Sequence, residues 1–198
     1  APPDGAGTLM PQETGQRRTR PLPYALTADF AATATGTALA MASHGKAGAC
    51  FYVYRKSGED LPWRYTIGPG DRLNVELPSD TGPLALHGPN GFYRAFNPGL
   101  SGLSVRAAPD GDTLNLTFHN ATPKHADLRV ADSAYGAALR TLTLAPGETA
   151  TQSWNCAASD RWYDLIVTAG PAQWRLAGHI ETGKPGLTDP AATAPVLE

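Results

Sequence analysis

The run GHIETGK, from Gly178 to Lys184, matches a phosphate-binding P-loop up to its lysine. A P-loop needs a Ser or Thr directly after the lysine to hold magnesium, and a helix N-terminus that faces the phosphates. Pro185 stands at the position of that hydroxyl residue. We therefore expect no nucleotide site here and interpret the run as a strand that ends in a glycine-rich turn.

Metal ligation is the second chemistry that residue types suggest. His119 and His125 are six positions apart with Asp127 nearby, a spacing that matches no standard zinc site. Asp110 and Asp112 flank a glycine, but the further ligands of a calcium-binding EF-hand loop do not follow. We predict surface turns at both places, with no metal and no cofactor.

The sequence contains no spacing of residues that is typical of nucleophilic catalysis. The sequence contains neither a Gly-x-Ser-x-Gly elbow nor a His-Glu-x-x-His pair. The cysteines Cys50 and Cys156 form no CxxC motif, and their positions leave open whether they pair. We expect Cys50 to fill a small apolar position. No catalytic residue is predicted.

Composition excludes several classes of protein. The 198 residues carry 16 Lys+Arg and 18 Asp+Glu without a long basic block, so the charge footprint of a nucleic-acid-binding protein is missing. No apolar run reaches the ~18–20 residues that span a bilayer. The first residues lack the apolar core of a signal peptide, so we expect a cytoplasmic chain or one cut from a longer precursor.

The chain contains one pattern twice. At an offset of 77 residues apolar positions coincide, and the turn Pro69-Gly70 falls on Pro146-Gly147. After a short gap the offset becomes 81, and Tyr93-Arg94 aligns with Trp174-Arg175. The coinciding apolar pairs include Leu39 with Leu116, Phe51 with Leu128, Val53 with Val130, Leu84 with Leu165 and Leu86 with Val167. We interpret the chain as two tandem copies, 22–102 and 103–184.

Each copy shows the pattern of short strands. Ala126 to Val130 alternates apolar and charged residues, the period of a half-buried strand. Gly and Pro, 21 and 18 residues, mark turns between such runs. About seven strands per copy, with turns every 8–12 residues, predict an all-β fold of two antiparallel β-sandwich repeats. Residues 1–21 are predicted to be a linker from a missing N-terminal domain, and 185–198 a C-terminal tail.

Aromatic side chains are the remaining candidates for a binding surface, either a carbohydrate platform or an anchor at a membrane interface. The repeat aligns Tyr65 with Leu142 and Trp154 with Leu77, so core packing explains most of the aromatic residues. Trp63 and Trp162 stand beside turn or loop residues. We predict that these two are exposed and form a lipid or ligand surface.

Several strings carry a family resemblance. They are MPQE from Met10, HGPNGFYR from His87 to Arg94, WYDL from Trp162, AGHIETG from Ala177 to Gly183, and the pair Asp189-Pro190. With these strings, residues 10–190 resemble the C-terminal repeat region of bacterial phosphocholine-preferring phospholipases C. The twofold repeat agrees with the two copies that are usual in that family.

The resemblance implies more than the residues show. Full-length members are alkaline-phosphatase-related phosphoesterases, in which an N-terminal α/β catalytic domain carries the metal and the nucleophile. They hydrolyse phosphatidylcholine, and some also sphingomyelin, to release phosphocholine, and they are exported in folded form. The resemblance therefore implies a secreted, non-catalytic region whose partner is that catalytic domain.

Three roles remain open for such a region. It can pack on the catalytic domain and stabilise it, or dock on a zwitterionic lipid surface through Trp63 and Trp162. A carbohydrate-binding or adhesin-type sandwich is the alternative from another class, because a fold does not fix a function. A stand-alone enzyme is the least favoured, because no nucleophile and base or metal set can be assembled.

Overall fold

The computed structural model describes residues 15–55, 61–78, 82–99 and 101–191. Its strands are β1 Arg18–Thr19, β2 Leu26–Ala32, β3 Gly36–Ser43, β4 Ala49–Arg55, β5 Trp63–Ile67, β6 Arg72–Pro78, β7 Leu84–His87, β8 Tyr93–Asn97, β9 Leu103–Asp110, β10 Thr113–Asn120, β11 Ala126–Asp132, β12 Arg140–Leu144, β13 Thr149–Asn155, β14 Trp162–Ala169, β15 Ala172–His179 and β16 Gly186–Leu187. A 3-10 turn, Ala157–Ser159, lies between β13 and β14. Within these ranges no helix has the length and apolar character to cross a membrane.

The strands form two large antiparallel sheets that pack face to face. The six-stranded sheet has the order β13-β10-β9-β2-β3-β6, and the eight-stranded sheet the order β12-β11-β14-β15-β8-β7-β4-β5. Residues from both sheets fill one buried apolar cluster between them. The predicted all-β sandwich is therefore confirmed.

In both sheets the strand order of one half of the chain mirrors that of the other half. Strands β2 to β8 take the same relative places as β9 to β15, and the halves meet at β2–β9 and at β8–β15. The β8–β15 pairing runs from Tyr93 opposite Ala177 to Asn97 opposite Gln173. The β2–β9 pairing has the single bridge of Ala31 and Ser104. The repeat boundaries 22–102 and 103–184 stay a prediction.

Alternation along the strands builds the core as the sequence predicts. On β4 the side chains of Phe51 and Val53 are fully buried, whereas Tyr52 and Tyr54 are exposed. Cys50 on the same strand is half-buried rather than buried, because it shares the outer face with the two tyrosines. This face alternation is the direct consequence of strand geometry.

One predicted alignment of the two copies is wrong. Tyr93 is half-buried on the outer face, whereas Trp174 is 2% exposed in the core. Arg94 pairs with Leu86, and Trp174 pairs with Val167, so Arg94 is the residue that corresponds to Trp174. Seven residues lie between Leu86 and Arg94, but six lie between Val167 and Trp174, and one extra residue moves a side chain to the other face.

The segments predicted to be linker and tail meet in a small ribbon. Arg18 lies opposite Leu187, and Thr19 lies opposite Gly186. Before this ribbon, the Gln16 side-chain amide donates to a carboxylate oxygen of Asp160 over 3.0 Å. The predicted linker residues 1–14 and tail residues 192–198 lie outside the described residues.

Candidate functional site

The two strings that carry the family resemblance lie side by side. The first contains the turn between β7 and β8, in which Asn90 and Gly91 have φ angles of 52° and 73°. Glycine and asparagine tolerate this left-handed conformation better than other residues. The Gly88 N–H donates to the Phe92 carbonyl oxygen over 2.7 Å and closes the turn. The turn therefore presents the Asn90 side chain in a fixed direction.

Asn90 reaches the second string through a polar network. Its Nδ2 donates to Oε1 of Glu181 over 2.5 Å. The same carboxylate oxygen lies 3.0 Å from Nδ1 of His179, and Nε2 of His179 lies 3.0 Å from the carbonyl oxygen of Asp160. We call Asn90, Trp162, His179 and Glu181 the motif junction. It links two segments that are 91 positions apart.

Both ring nitrogens of His179 face oxygen acceptors. A carbonyl oxygen cannot donate, so Nε2 must carry a proton to bond Asp160. A catalytic histidine next to a carboxylate keeps its second nitrogen free for the reacting proton. Here that nitrogen is bonded to the main chain, and the side chain is 3% exposed. The pair of His179 and Glu181 is therefore arranged to hold segments together.

Trp162 covers the histidine from one side. The two ring centroids are 4.9 Å apart, and the indole Nε1–H donates to the carbonyl oxygen of Leu187 over 3.0 Å. A methyl group at Gly91 would contact the indole ring at 3.4 Å. The junction thus also holds strand β16, which carries the ribbon with β1.

Arg94 lies beneath the junction and is 3% exposed. Its guanidinium donates to the hydroxyl of Tyr163 over 3.0 Å and to the carbonyl oxygens of Tyr93 and Ala177. It also lies 4.1 Å from the ring centre of Phe92 and 5.5 Å from that of Tyr163. Hydrogen bonds and aromatic faces together offset much of the cost of burying a charge.

Two cavities are lined in part by residues of the junction or their neighbours. One of about 30 Å³ has the size of a water molecule and is lined by residues that include Tyr24, Asn90 and Tyr163. A second, of about 200 Å³, is lined by residues that include Cys156 and Trp154. Burial raises the pKa of the Cys156 thiol to about 11, so it is protonated near neutral pH and is a poor nucleophile.

The residues considered for metal binding do not come together. Across the described ranges, no three His, Cys, Asp or Glu side chains are grouped to hold an ion. Nδ1 of His119 contacts the hydroxyl of Thr149 at 2.9 Å. The Asp112 carboxylate lies 4.0 Å from the guanidinium of Arg161. Cys50 and Cys156 are both free thiols in the structure.

The structure places Trp63 and Trp162 on strands and not on loops. Each is the first residue of its strand and is half-buried. Trp63 pairs with the fully buried Val53 and so lies on the inner face, packed against the core. Its ring also contacts the guanidinium of Arg55 at 5.0 Å. The expectation that both rings are exposed on loops is therefore wrong, and their role as a binding surface stays a prediction.

Sequence reasoning did not identify Asn90, Arg94 and Glu181 as partners. The strings that contain these residues carry the family resemblance, but nothing in their composition or spacing predicts that the two strings are in contact. The Asn90-Gly91 pair was the one local signal, because such a pair favours a tight turn. Asp29 is half-buried, although alternation on β2 assigns its position to the outer face.

Comparison with known proteins agrees with the two-part architecture. The profile of the family described as "Bacterial phospholipase C, C-terminal domain" matches residues 19–97 and again residues 103–179. The non-hemolytic phospholipase C of Burkholderia pseudomallei is 35% identical over 206 residues, which cover 95% of this chain and 29% of that protein. The hemolytic phospholipase C of Pseudomonas aeruginosa is 31% identical over 229 residues, covering 92% of this chain and 30% of that protein.

The chain thus spans about three tenths of the length of these relatives. Among solved structures, red sea bream transglutaminase aligns with 10% identity and a TM-score of 0.27, which carries no argument about fold or function. The two profile matches together extend over most of the chain, each over one set of seven strands. The chain belongs to the family of bacterial phospholipase C C-terminal domains.

Proposed function

We propose that this chain is a non-catalytic accessory region of a secreted bacterial phospholipase C, and that it packs on the catalytic domain and stabilises it. The whole enzyme would hydrolyse phosphatidylcholine, and in some members also sphingomyelin, to release phosphocholine. The relatives that match nearly the whole chain are named phospholipases C, and each is more than three times as long as the matched region.

The observation that supports a structural role is the closed network of the motif junction. Glu181 bonds both Asn90 and His179, and His179 also bonds the main-chain carbonyl oxygen of Asp160. Polar residues that serve chemistry usually leave a group directed at a substrate. In the junction the Asn90 amide nitrogen, both His179 ring nitrogens, the Trp162 indole N–H and one Glu181 carboxylate oxygen have partners within the chain, which favours residues that fix segments in place.

Docking on zwitterionic lipid is less favoured than packing on the catalytic domain. That hypothesis rests on exposed indole rings, and Trp63 and Trp162 are both half-buried with partners of their own. A carbohydrate-binding module remains the alternative from another class. It predicts affinity on a glycan array for this chain alone.

Deletion tests the proposal. The full-length enzyme and a form that lacks residues 15–191 are compared by melting temperature and by phosphatidylcholine hydrolysis. We expect the shortened enzyme to melt at a lower temperature and to lose activity on warming, because one packed surface is missing. Unchanged melting temperature and activity would contradict the proposal.

A further inference from the structure

The outer face of the eight-stranded sheet carries a row of rings on three neighbouring strands. The Tyr54 and His87 ring centroids are 5.5 Å apart, and those of His87 and Tyr93 are 4.9 Å apart. Tyr52 lies on the same face, with the guanidinium of Arg64 5.8 Å from its ring centre. Tyr52 and Tyr54 are 38% and 39% exposed. We call Tyr52, Tyr54, His87 and Tyr93 the aromatic row.

The second half of the sheet shows that the fold does not require these rings. Tyr52 pairs with His87, and His87 pairs with Tyr93. The same two pairings in the second half join Arg129 with Thr168 and Thr168 with Gln173. The residues that correspond to the aromatic row are thus Arg129, Ala131, Thr168 and Gln173. Since both halves form the same strands, the fold does not account for the aromatic residues of the first half, and contact with a partner would account for them.

The aromatic row has the composition of a protein interface. Arg64 is the one charged side chain on the outer face of β4, β5, β7 and β8, strands that the structure describes throughout. The remaining residues of that face are small or uncharged, such as Ala85 and Ala95. Interface cores are poor in charged residues and rich in Tyr and Arg.

The geometry of the rings disfavours a carbohydrate platform. The planes of Tyr54 and His87 meet at 89°, and those of His87 and Tyr93 meet at 62°. A sugar ring stacks on an aromatic face that lies open and parallel to it. Rings packed edge to face instead present edges and hydroxyl groups, which suit an irregular protein surface.

We propose that the aromatic row is the surface on which the catalytic domain of the full-length enzyme docks. This inference rests on the proposed function and identifies the surface of this chain that would contact the catalytic domain. The relatives extend beyond the matched region by about seven tenths of their length, so a large partner lies in the same polypeptide. A partner surface with a carboxylate near Arg64 would complete the contact.

Photo-cross-linking in the full-length enzyme tests the contact directly. The variant Tyr54→p-benzoylphenylalanine carries the probe in the aromatic row, and Arg129→p-benzoylphenylalanine carries it at an exposed position of the second half as the matched control. We expect position 54 to cross-link to peptides of the catalytic domain, identified by mass spectrometry, and position 129 to give none. Cross-links from neither position, or from 129 alone, would overturn the inference.

A second variant separates this inference from the proposed function. We expect Tyr52→Ala/Tyr54→Ala to lower the melting temperature of the full-length enzyme by more than that of the 198-residue chain, in which only the contacts of the two rings with His87 and Arg64 are lost. If deletion of residues 15–191 destabilises the enzyme but the double variant and the probe have no effect, the docking surface is wrong and the proposed function stands. If the deletion has no effect, the proposed function itself fails. Cross-links to added phosphatidylcholine vesicles, or to a second copy of the chain, would also overturn the inference.

Discussion

Trp174 donates its indole Nε1–H to the main-chain carbonyl oxygen of Phe30 over 3.0 Å, and this bond joins the second half of the sandwich to the first. The ring of Phe96 lies between them, stacked on Phe30 at 5.7 Å and tilted against Trp174 at 5.4 Å. The two sheets and the two halves of the chain meet at these three residues. They explain how a duplicated unit becomes one continuous core.

Replacement of the indole tests this contact. Trp174→Phe removes the Nε1–H and leaves the buried carbonyl of Phe30 without its side-chain donor, in addition to a small void. We expect the free energy of unfolding to fall by about 1–3 kcal/mol, measured by urea denaturation of the 198-residue chain. Gln173→Ala, on the adjacent exposed position, is the control and should change stability by less than ~0.5 kcal/mol. Equal effects of the two substitutions would contradict the assignment.

Gly178 is required by the position of Tyr163. A methyl group at Gly178 would lie 2.9 Å from the Tyr163 hydroxyl oxygen, which accepts a hydrogen bond from Arg94. We expect Gly178→Ala to lower the free energy of unfolding by about 1–3 kcal/mol, because overpacking displaces that ring.

A double-mutant cycle measures whether the hydroxyl is the cause. Tyr163→Phe removes the oxygen that the new methyl group would meet, so Gly178→Ala should cost less in that background than in the natural chain. Denaturation midpoints of the four proteins give the coupling. Strict additivity would show that the cost of Gly178→Ala arises elsewhere, for example in the main chain.

Asp29 makes stability depend on pH. Burial raises the pKa of its carboxyl above the ordinary value of 3.8, against the opposing effects of the Ala107 N–H and the guanidinium groups of Arg94 and Arg106. The folded protein therefore holds this proton more tightly than the unfolded chain. Its contribution to the free energy of unfolding is greatest below pH 3.8 and is lost as the pH rises through the raised pKa.

The variant Asp29→Asn isolates this effect. Its side-chain oxygen can still accept the Ala107 N–H, which lies 3.1 Å from the carboxylate in the natural chain, but it carries no charge. We expect the stability of Asp29→Asn relative to the natural chain to increase between about pH 3 and about pH 7. Thermal melts across that range provide the measurement, with Asp110→Asn on an exposed position as the control. A difference that does not vary with pH would contradict the burial argument.

The parts of the fold that follow from local pattern were predictable. Ala126 to Val130 shows its two faces directly in the alternation of apolar and charged residues, and the turn residues separate the strands. The doubling of the unit was visible because buried positions such as Phe51 and Leu128 keep their apolar character in both copies. Alternation is visible in adjacent residues, and the doubling is visible when the sequence is compared with itself. Both signals can therefore be obtained from a single sequence.

What the pattern could not supply was register and distant contact. The offset of 81 residues aligns Tyr93 with Trp174, although one additional residue between the paired positions of the first copy puts the two side chains on opposite faces. Trp63 seemed exposed because turn residues precede it, but an edge strand can still direct a side chain to the core. The bond between Asn90 and Glu181 joins residues 91 positions apart, and no local rule predicts such a meeting.

We infer that the family strings of this chain hold structure and do not perform chemistry. Glu181→Ala in the full-length enzyme tests it most directly, because it removes the acceptor shared by Asn90 and His179. We predict that the melting temperature falls while kcat/KM for phosphatidylcholine, measured well below that temperature, stays within about twofold of the natural enzyme, a change of less than ~0.5 kcal/mol in the barrier. A loss of kcat/KM by orders of magnitude at unchanged melting temperature would contradict the account.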